Sequence, residues 1–173
     1  MLLLTQAFVD PFTMSTINEE AFYHDRQSFS VDVINEQDDI EIDEEKIKFI
    51  CSKIISDAGF RTGHLGVVLT DNTTIRVLNR EYLEHDCPTD VISFGLELTE
   101  EHLEADVVVS AEVAKERCKE FDTDEEPEIY LYVIHGTLHL VGYDDKEKEQ
   151  IQIMRRMEAK YLGMLGFMNP DKG

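Results

Sequence analysis

The sequence has no tryptophan, only three cysteines and four prolines, and 16 basic residues against 37 acidic ones. Each shortage narrows what the chain can be. Cys51, Cys87 and Cys118 are odd in number, far apart and in no paired motif. They therefore exclude the disulfide framework that staples small secreted domains, and are expected as reduced packing residues. No run approaches the roughly 18 to 20 apolar residues that cross a bilayer, so no membrane partner is expected. Met1 to Leu4 is apolar but too short for the core of a signal peptide, and it soon meets Asp10 and Pro11. A cytoplasmic location is the expectation. The shortage of Lys and Arg leaves a formal charge of −21, which repels polyanions at long range and argues against a nucleic-acid partner held by charge alone. A bound divalent cation and a local cluster of Arg or Lys can still reverse that field where one phosphate sits.

What the chain does have is enough apolar material for one core. Its 173 residues are 42% hydrophobic and 31% charged, the balance of a single globular domain. Residues 1–27 show neither helical nor strand periodicity and contain a second methionine, Met14, so they are expected to form a frayed N-terminal extension or to precede an alternative start. Residues 28–163 carry the periodic segments, and 164–173 form a C-terminal tail. Phe29, Val31 and Val33 alternate with polar residues, which predicts a strand over Ser28 to Asn35, followed by an acidic loop from Glu36 to Asp43. Asp43 then caps a helix whose residues Ile47, Ile50, Cys51, Ile54, Ile55 and Ala58 recur at helical spacing, with Gly59 ending it.

Leu65 to Thr70 reads as a second strand, leading through Asp71-Asn72 into a helix over Thr73 to Leu83. Two short strands are predicted at Thr89 to Phe94 and Ala105 to Val109, after which Ser110 caps a helix to about Lys119. Asp124, Glu125, Glu126 and Pro127 suit the first turn of a further helix. Its residues Ile129 to Val141 are largely apolar and Gly142 ends it. A last amphipathic helix from about Lys146 to Leu162 carries a Met-rich stripe that reads as packing. This order predicts an α+β domain, a small mixed sheet of about four strands covered by helices.

The segment most informative about chemistry is His135 to Asp145, H-G-T-L-H-L-V-G-Y-D-D. Imidazoles at i and i+4 lie on one helix face, about 6 Å apart at Cβ, and can both reach one ion with bonds of about 2.0 to 2.1 Å. Taken alone, such a pair also fits ordinary core or surface histidines. Buried in an apolar helix, however, two imidazoles need partners. Gly142 lets the chain double back at positive φ and bring Asp145 towards them. Three protein ligands, His135, His139 and Asp145, would leave a fourth position for water, the arrangement of a catalytic zinc. Asp144 competes for the third place, since either aspartate can instead cap the final helix. Imidazole and carboxylate accept several divalent ions besides zinc.

This segment resembles the signature of the YbeY-type endoribonucleases, bacterial ribosomal RNA maturation factors, whose usual form is H-G-x-L-H-L-x-G-Y-D-H; ten of the eleven positions agree, counting the two free ones. The resemblance continues through Leu78-Asn79, Pro88 to Phe94 and Met157-Glu158, and covers roughly residues 28 to 163. It implies a zincin-like metal site holding Zn²⁺ and hydrolysis of single-stranded RNA. It also implies a role in small-subunit ribosomal RNA processing and ribosome quality control, with ribosomal RNA and small-subunit ribosomal proteins as partners. Two positions depart from the pattern. Asp145 stands where the family has a third histidine, a change that zinc accepts. Leu83 stands where the family has an arginine, and Arg80 is the nearby stand-in, with a solvated helix surface as its plainer reading.

Two rival readings stay open. A zinc peptidase of the H-E-x-x-H type needs a glutamate after the first histidine, where this chain has Gly136. A non-catalytic ribosome-assembly or protein-binding module stabilised by its metal would suit the charge of −21 and Leu83. Pro88 to Phe94 is expected either as a substrate-binding edge strand beside the metal or as an ordinary strand with a turn-forming Asp90. No residue is assigned as proton donor.

Overall fold

The computed structural model describes residues 29–121 and 123–167. Expectations about residues 1–27, including Met14, and about the end of the tail lie outside that range. The described chain runs β1 (Phe29–Asn35), α1 (Glu44–Asp57), β2 (Thr62–Thr70), α2 (Asn72–Leu83), β3 (Val91–Leu98), β4 (His102–Ser110), α3 (Ala111–Phe121), α4 (Glu125–Leu140) and α5 (Lys148–Met164). The expected α+β order is the observed one. The four strands form one mixed sheet in the order β1-β2-β4-β3, with β1, β2 and β4 parallel and β3 antiparallel to β4. Chain order therefore differs from spatial order, because β4 inserts between β2 and β3.

Alternation along the strands sends successive side chains to opposite faces. On one face Leu65, Val67, Leu69, Leu103, Ala105, Val107 and Val109 join the main core under α1, α4 and α5. On the other, Ile92 and Val108 pack against Ile75 of α2. Helix α4 is buried at every residue from Glu128 to Ile134, which explains why its sequence is apolar nearly all round rather than striped. Such a helix needs cover on every side, and the sheet, α1, α3 and α5 supply it.

Local chemistry sets several element ends. The Asp43 side chain accepts from the Glu45 N–H at 3.0 Å to start α1, and Ser110 Oγ accepts from the Val113 N–H at 3.2 Å to start α3. Other ends differ from the sequence expectation. β2 and β4 begin three residues earlier than their apolar runs, because Thr62 to His64 pair with His102 to Glu104. β3 starts at Val91, not Thr89, and continues to Leu98 in a hairpin closed by the Thr99 N–H on His102 O at 2.9 Å. Apart from the buried Leu103, those added residues are polar, glycine or exposed, so hydrophobic alternation does not register them. α5 begins at Lys148 rather than Lys146, behind a capping box of Glu147 and Gln150. Cys51 and Cys118 are buried as expected, but Cys87 is exposed on the loop before β3.

Candidate metal centre

The site begins with how closely α4 sits on the sheet. The Ser93 hydroxyl of β3 donates to the Gly136 carbonyl at 2.9 Å. A Cβ at Gly136 would come within 2.8 Å of Val91 Cγ2, 2.9 Å of Ser93 Oγ and 3.0 Å of Val107 Cγ1. Glycine is thus required between the two histidines for α4 to approach the strands, which is the physical reason that no larger residue follows His135. Four residues on, His139 lies one turn above on the same face.

The end of α4 delivers the third group. Gly142 has φ +97°, and the Tyr143 N–H reaches Leu138 O at 3.0 Å while the Gly142 N–H reaches His139 O at 3.1 Å. These paired bonds form a Schellman turn, which reverses the chain within a few residues. Asp145 is thereby returned to the histidines, with Oδ2 3.7 Å from His135 Nε2 and Oδ1 3.9 Å from His139 Nε2. One ligand atom from each of His135, His139 and Asp145 lies within 4.8 Å of the others, a group that could hold a metal ion. Asp144 is engaged elsewhere, accepting from the Asp145 N–H at 2.8 Å and from Lys146 at 3.0 Å. Lys146 also holds the Asp144 carboxyl below the usual range. Since Glu147 caps α5, neither aspartate serves as its cap.

Both rings are oriented by their far nitrogens. His135 Nδ1 lies 2.6 Å from Oε1 of Glu158, a largely buried carboxylate on α5, and His139 Nδ1 lies 3.0 Å from the Tyr143 carbonyl. A carboxylate and a carbonyl can only accept, so each Nδ1 carries the proton, and in the neutral ring each Nε2 presents a lone pair. The two Nε2 atoms face one another at 2.9 Å. Two lone pairs that close repel unless a cation or a proton lies between them. Tetrahedral zinc with bonds of about 2.0 to 2.1 Å would set them about 3.3 Å apart, so only a slight opening of the rings is needed. The residues present therefore fit a zinc-like ion. Local charge points the same way. Burial pulls the His135 pKa down, but the Glu158 hydrogen bond and charge, with Asp145 and Asp90, more than offset it and leave the pKa raised.

The cluster opens into a cleft of about 730 Å³, one wall of which is Val91 to Phe94 of β3 with Asp90 just before it. Of the segment Pro88 to Phe94, Val91 to Phe94 lie in an edge strand beside the histidines, while Pro88 and Thr89 precede the strand and do not line the cleft. Leu83 lines the cleft and Arg80 is absent from the lining; its guanidinium lies 4.0 Å from Asp86 and is half exposed. Sequence reasoning gave no role to Asn79, Ser93 or Glu158, although all three fall within the family-like motifs. Asn79 is buried, its Nδ2 donating to Cys87 O at 2.8 Å and its carbonyl accepting from the N–H groups of Glu84 and His85, so it pins the loop between α2 and β3.

Comparison with known proteins supplies independent evidence. The family model "Endoribonuclease YbeY" matches residues 32–166. An Endoribonuclease YbeY of Salinibacter ruber is 42% identical over 130 residues, 70% of this chain and 83% of that protein. One of Carboxydothermus hydrogenoformans is 38% identical over 139 residues, 78% of this chain and 96% of that protein. The solution structure of TM1509 from Thermotoga maritima superposes with a TM-score of 0.52 at 22% identity, covering 83% of this chain and 99% of that one, a likeness of fold.

Proposed function

The chain belongs to the YbeY endoribonuclease family, and from that membership we propose that it is a zinc-dependent, single-strand-specific endoribonuclease acting in small-subunit ribosomal RNA maturation and ribosome quality control. Residues 28–163 are its catalytic domain, His135, His139 and Asp145 its metal ligands, ribosomal RNA and the small subunit its partners, and the cytoplasm its place of work. The observation that carries this reading is the two Nε2 atoms facing each other at 2.9 Å with Asp145 closing the triangle.

Bound zinc would supply a Lewis acid for a phosphoryl oxygen and water acidified to a pKa of about 7. The protein's own contribution is to hold that chemistry in place. His135 and His139 grip the ion from one rigid helix face, Glu158 and the Tyr143 carbonyl fix their tautomers, and Asp145 adds the charge that favours a cation. The cleft beside β3 gives an extended strand of RNA a way in. Gly136 speaks against a peptidase, because the place of its general base has no room for a side chain.

The test is metal analysis followed by cleavage of a single-stranded RNA oligomer. We expect about one zinc per chain and cleavage that is lost with chelator and in His139→Ala, with the fold retained by circular dichroism. Zinc retained at full stoichiometry without RNA cleavage would overturn the catalytic reading in favour of a metal-stabilised binding module.

A further inference from the structure

The cleft is lined by an aromatic pair, Phe94, packed against the smaller core cluster, and Tyr82, whose exposure the core does not explain. Tyr82, in the last turn of α2, is 64% exposed although its ring is large and apolar, and its neighbour Leu83 is 50% exposed. The Tyr82 ring meets Phe94 of β3 edge-on, with centroids 5.1 Å apart and planes at 71°. Both residues line the same cleft as His135 and His139. The perpendicular contact steadies the tyrosine while leaving most of it open to solvent.

The backbone holds this arrangement in place. Glu84 takes a left-handed φ of +63°, uncommon for a residue with a side chain, and ends α2 directly after Tyr82 and Leu83. Its N–H bonds to Asn79 O, the His85 N–H bonds to the same oxygen at 3.2 Å, and the Asn79 side chain ties down Cys87 O. These bonds fix the backbone turn that follows Tyr82.

Charge in the cleft points the same way. Among the described residues that line it, Lys146 is the one lysine or arginine, and it is already paired with Asp144 at 3.0 Å. Asp90, Asp144 and Asp145 line it too. In a chain of charge −21, the phosphates of a nucleic acid find little attraction here away from the metal. Affinity for a strand must then come from its bases, each of which has a π-face that an aromatic ring can cover. A base within a duplex is already stacked on its neighbours; an unpaired one is free to be taken.

We infer that Tyr82, braced by Phe94, is a stacking platform for one unpaired base of the substrate, and that base stacking rather than phosphate pairing provides the strand affinity beyond the metal. This inference rests on the RNA reading above. It is tested with the zinc-loaded full chain and a single-stranded 2′-O-methyl oligonucleotide containing one 2-aminopurine, moved through the sequence in turn. One position should be quenched on binding to the wild type and to Tyr82→Phe, but not to Tyr82→Leu. Tyr82→Leu should bind about 5- to 150-fold more weakly, the worth of one base–aromatic stack, at unchanged zinc content and circular dichroism. The slope of log K against log salt should be near about −0.7, the release expected of a single phosphate contact on a single strand. Wild-type quenching and affinity in Tyr82→Leu, or a slope steeper than about −2 from three or more phosphate contacts, would overturn the platform. A wild-type protein that neither binds nor cleaves RNA would instead overturn the reading on which it rests.

Discussion

The carboxylate behind His135 gives the sharpest test of the metal centre. Glu158 Oε1 lies 2.6 Å from His135 Nδ1, and the residue is only 8% exposed, so water does not readily replace it. Removing such a partner of a ligating histidine typically lowers metal affinity by about 10- to 100-fold, or about 1.4 to 2.7 kcal/mol, because the ring loses both its tautomer and its negative neighbour. Glu158→Gln keeps an acceptor in reach and loses only the charge, so it should fall at the weak end, with Glu158→Ala at the strong end. Competition against a chelating dye reads the affinity directly. Zinc-dependent thermal stabilisation reads it a second way: at one free zinc concentration above both dissociation constants, the same loss should shrink the zinc-induced rise in Tm by about 3 to 11 °C. His139→Ala sets the floor at which zinc no longer stabilises. Zinc affinity in Glu158→Ala equal to the wild type would refute the claim that this contact orients the ligand.

Three further outcomes follow from the packing. Gly136→Ala should lose about 1 to 2 kcal/mol in urea unfolding, since overpacking against Val91, Ser93 and Val107 outweighs the gain in helix propensity; a stabilised variant would show that α4 can lift off the sheet. A thiol reagent should label one cysteine quickly in the native chain, the exposed Cys87, because burial pushes the Cys51 thiol up to about 12 and also raises that of Cys118; rapid labelling of two would contradict the core as described. Asp57 bonds Lys53, Tyr161 at 3.1 Å and Lys160 at 3.3 Å, tying α1 to α5. The Lys53 bond does most to hold its carboxyl below the usual range; partial burial works against this, and Tyr161 and Lys160 add to it. A depressed folded-state pKa stabilises above the unfolded value of about 3.9 and is lost as pH falls through the lower folded value. Asp57→Asn should therefore cost under about 1 kcal/mol at pH 7, and the gap from wild type should close in acid; a gap that widened on acidification would refute the assignment.

The order of elements was legible in the residues because the signals are local. Asp43 and Ser110 cap as their position before apolar runs suggests, and Gly142 turns the chain as its place after an apolar helix suggests. The spacing of His135 and His139 determines that they share a face, since helix geometry alone puts i and i+4 together. Local pattern could not choose between Asp144 and Asp145, because both follow the same glycine and only the path of the returning chain decides which one faces the imidazoles. Nor could it reveal that Glu158 lies behind His135, that Ser93 meets Gly136, or that Tyr82 leans on Phe94. Those contacts join different elements and depend on β4 inserting between β2 and β3 and on how near α4 comes to the strands, quantities set by packing of the whole core. Local residue pattern specifies the helix that carries the two imidazoles; long-range packing sets what stands behind them, what completes their triangle and which wall faces them.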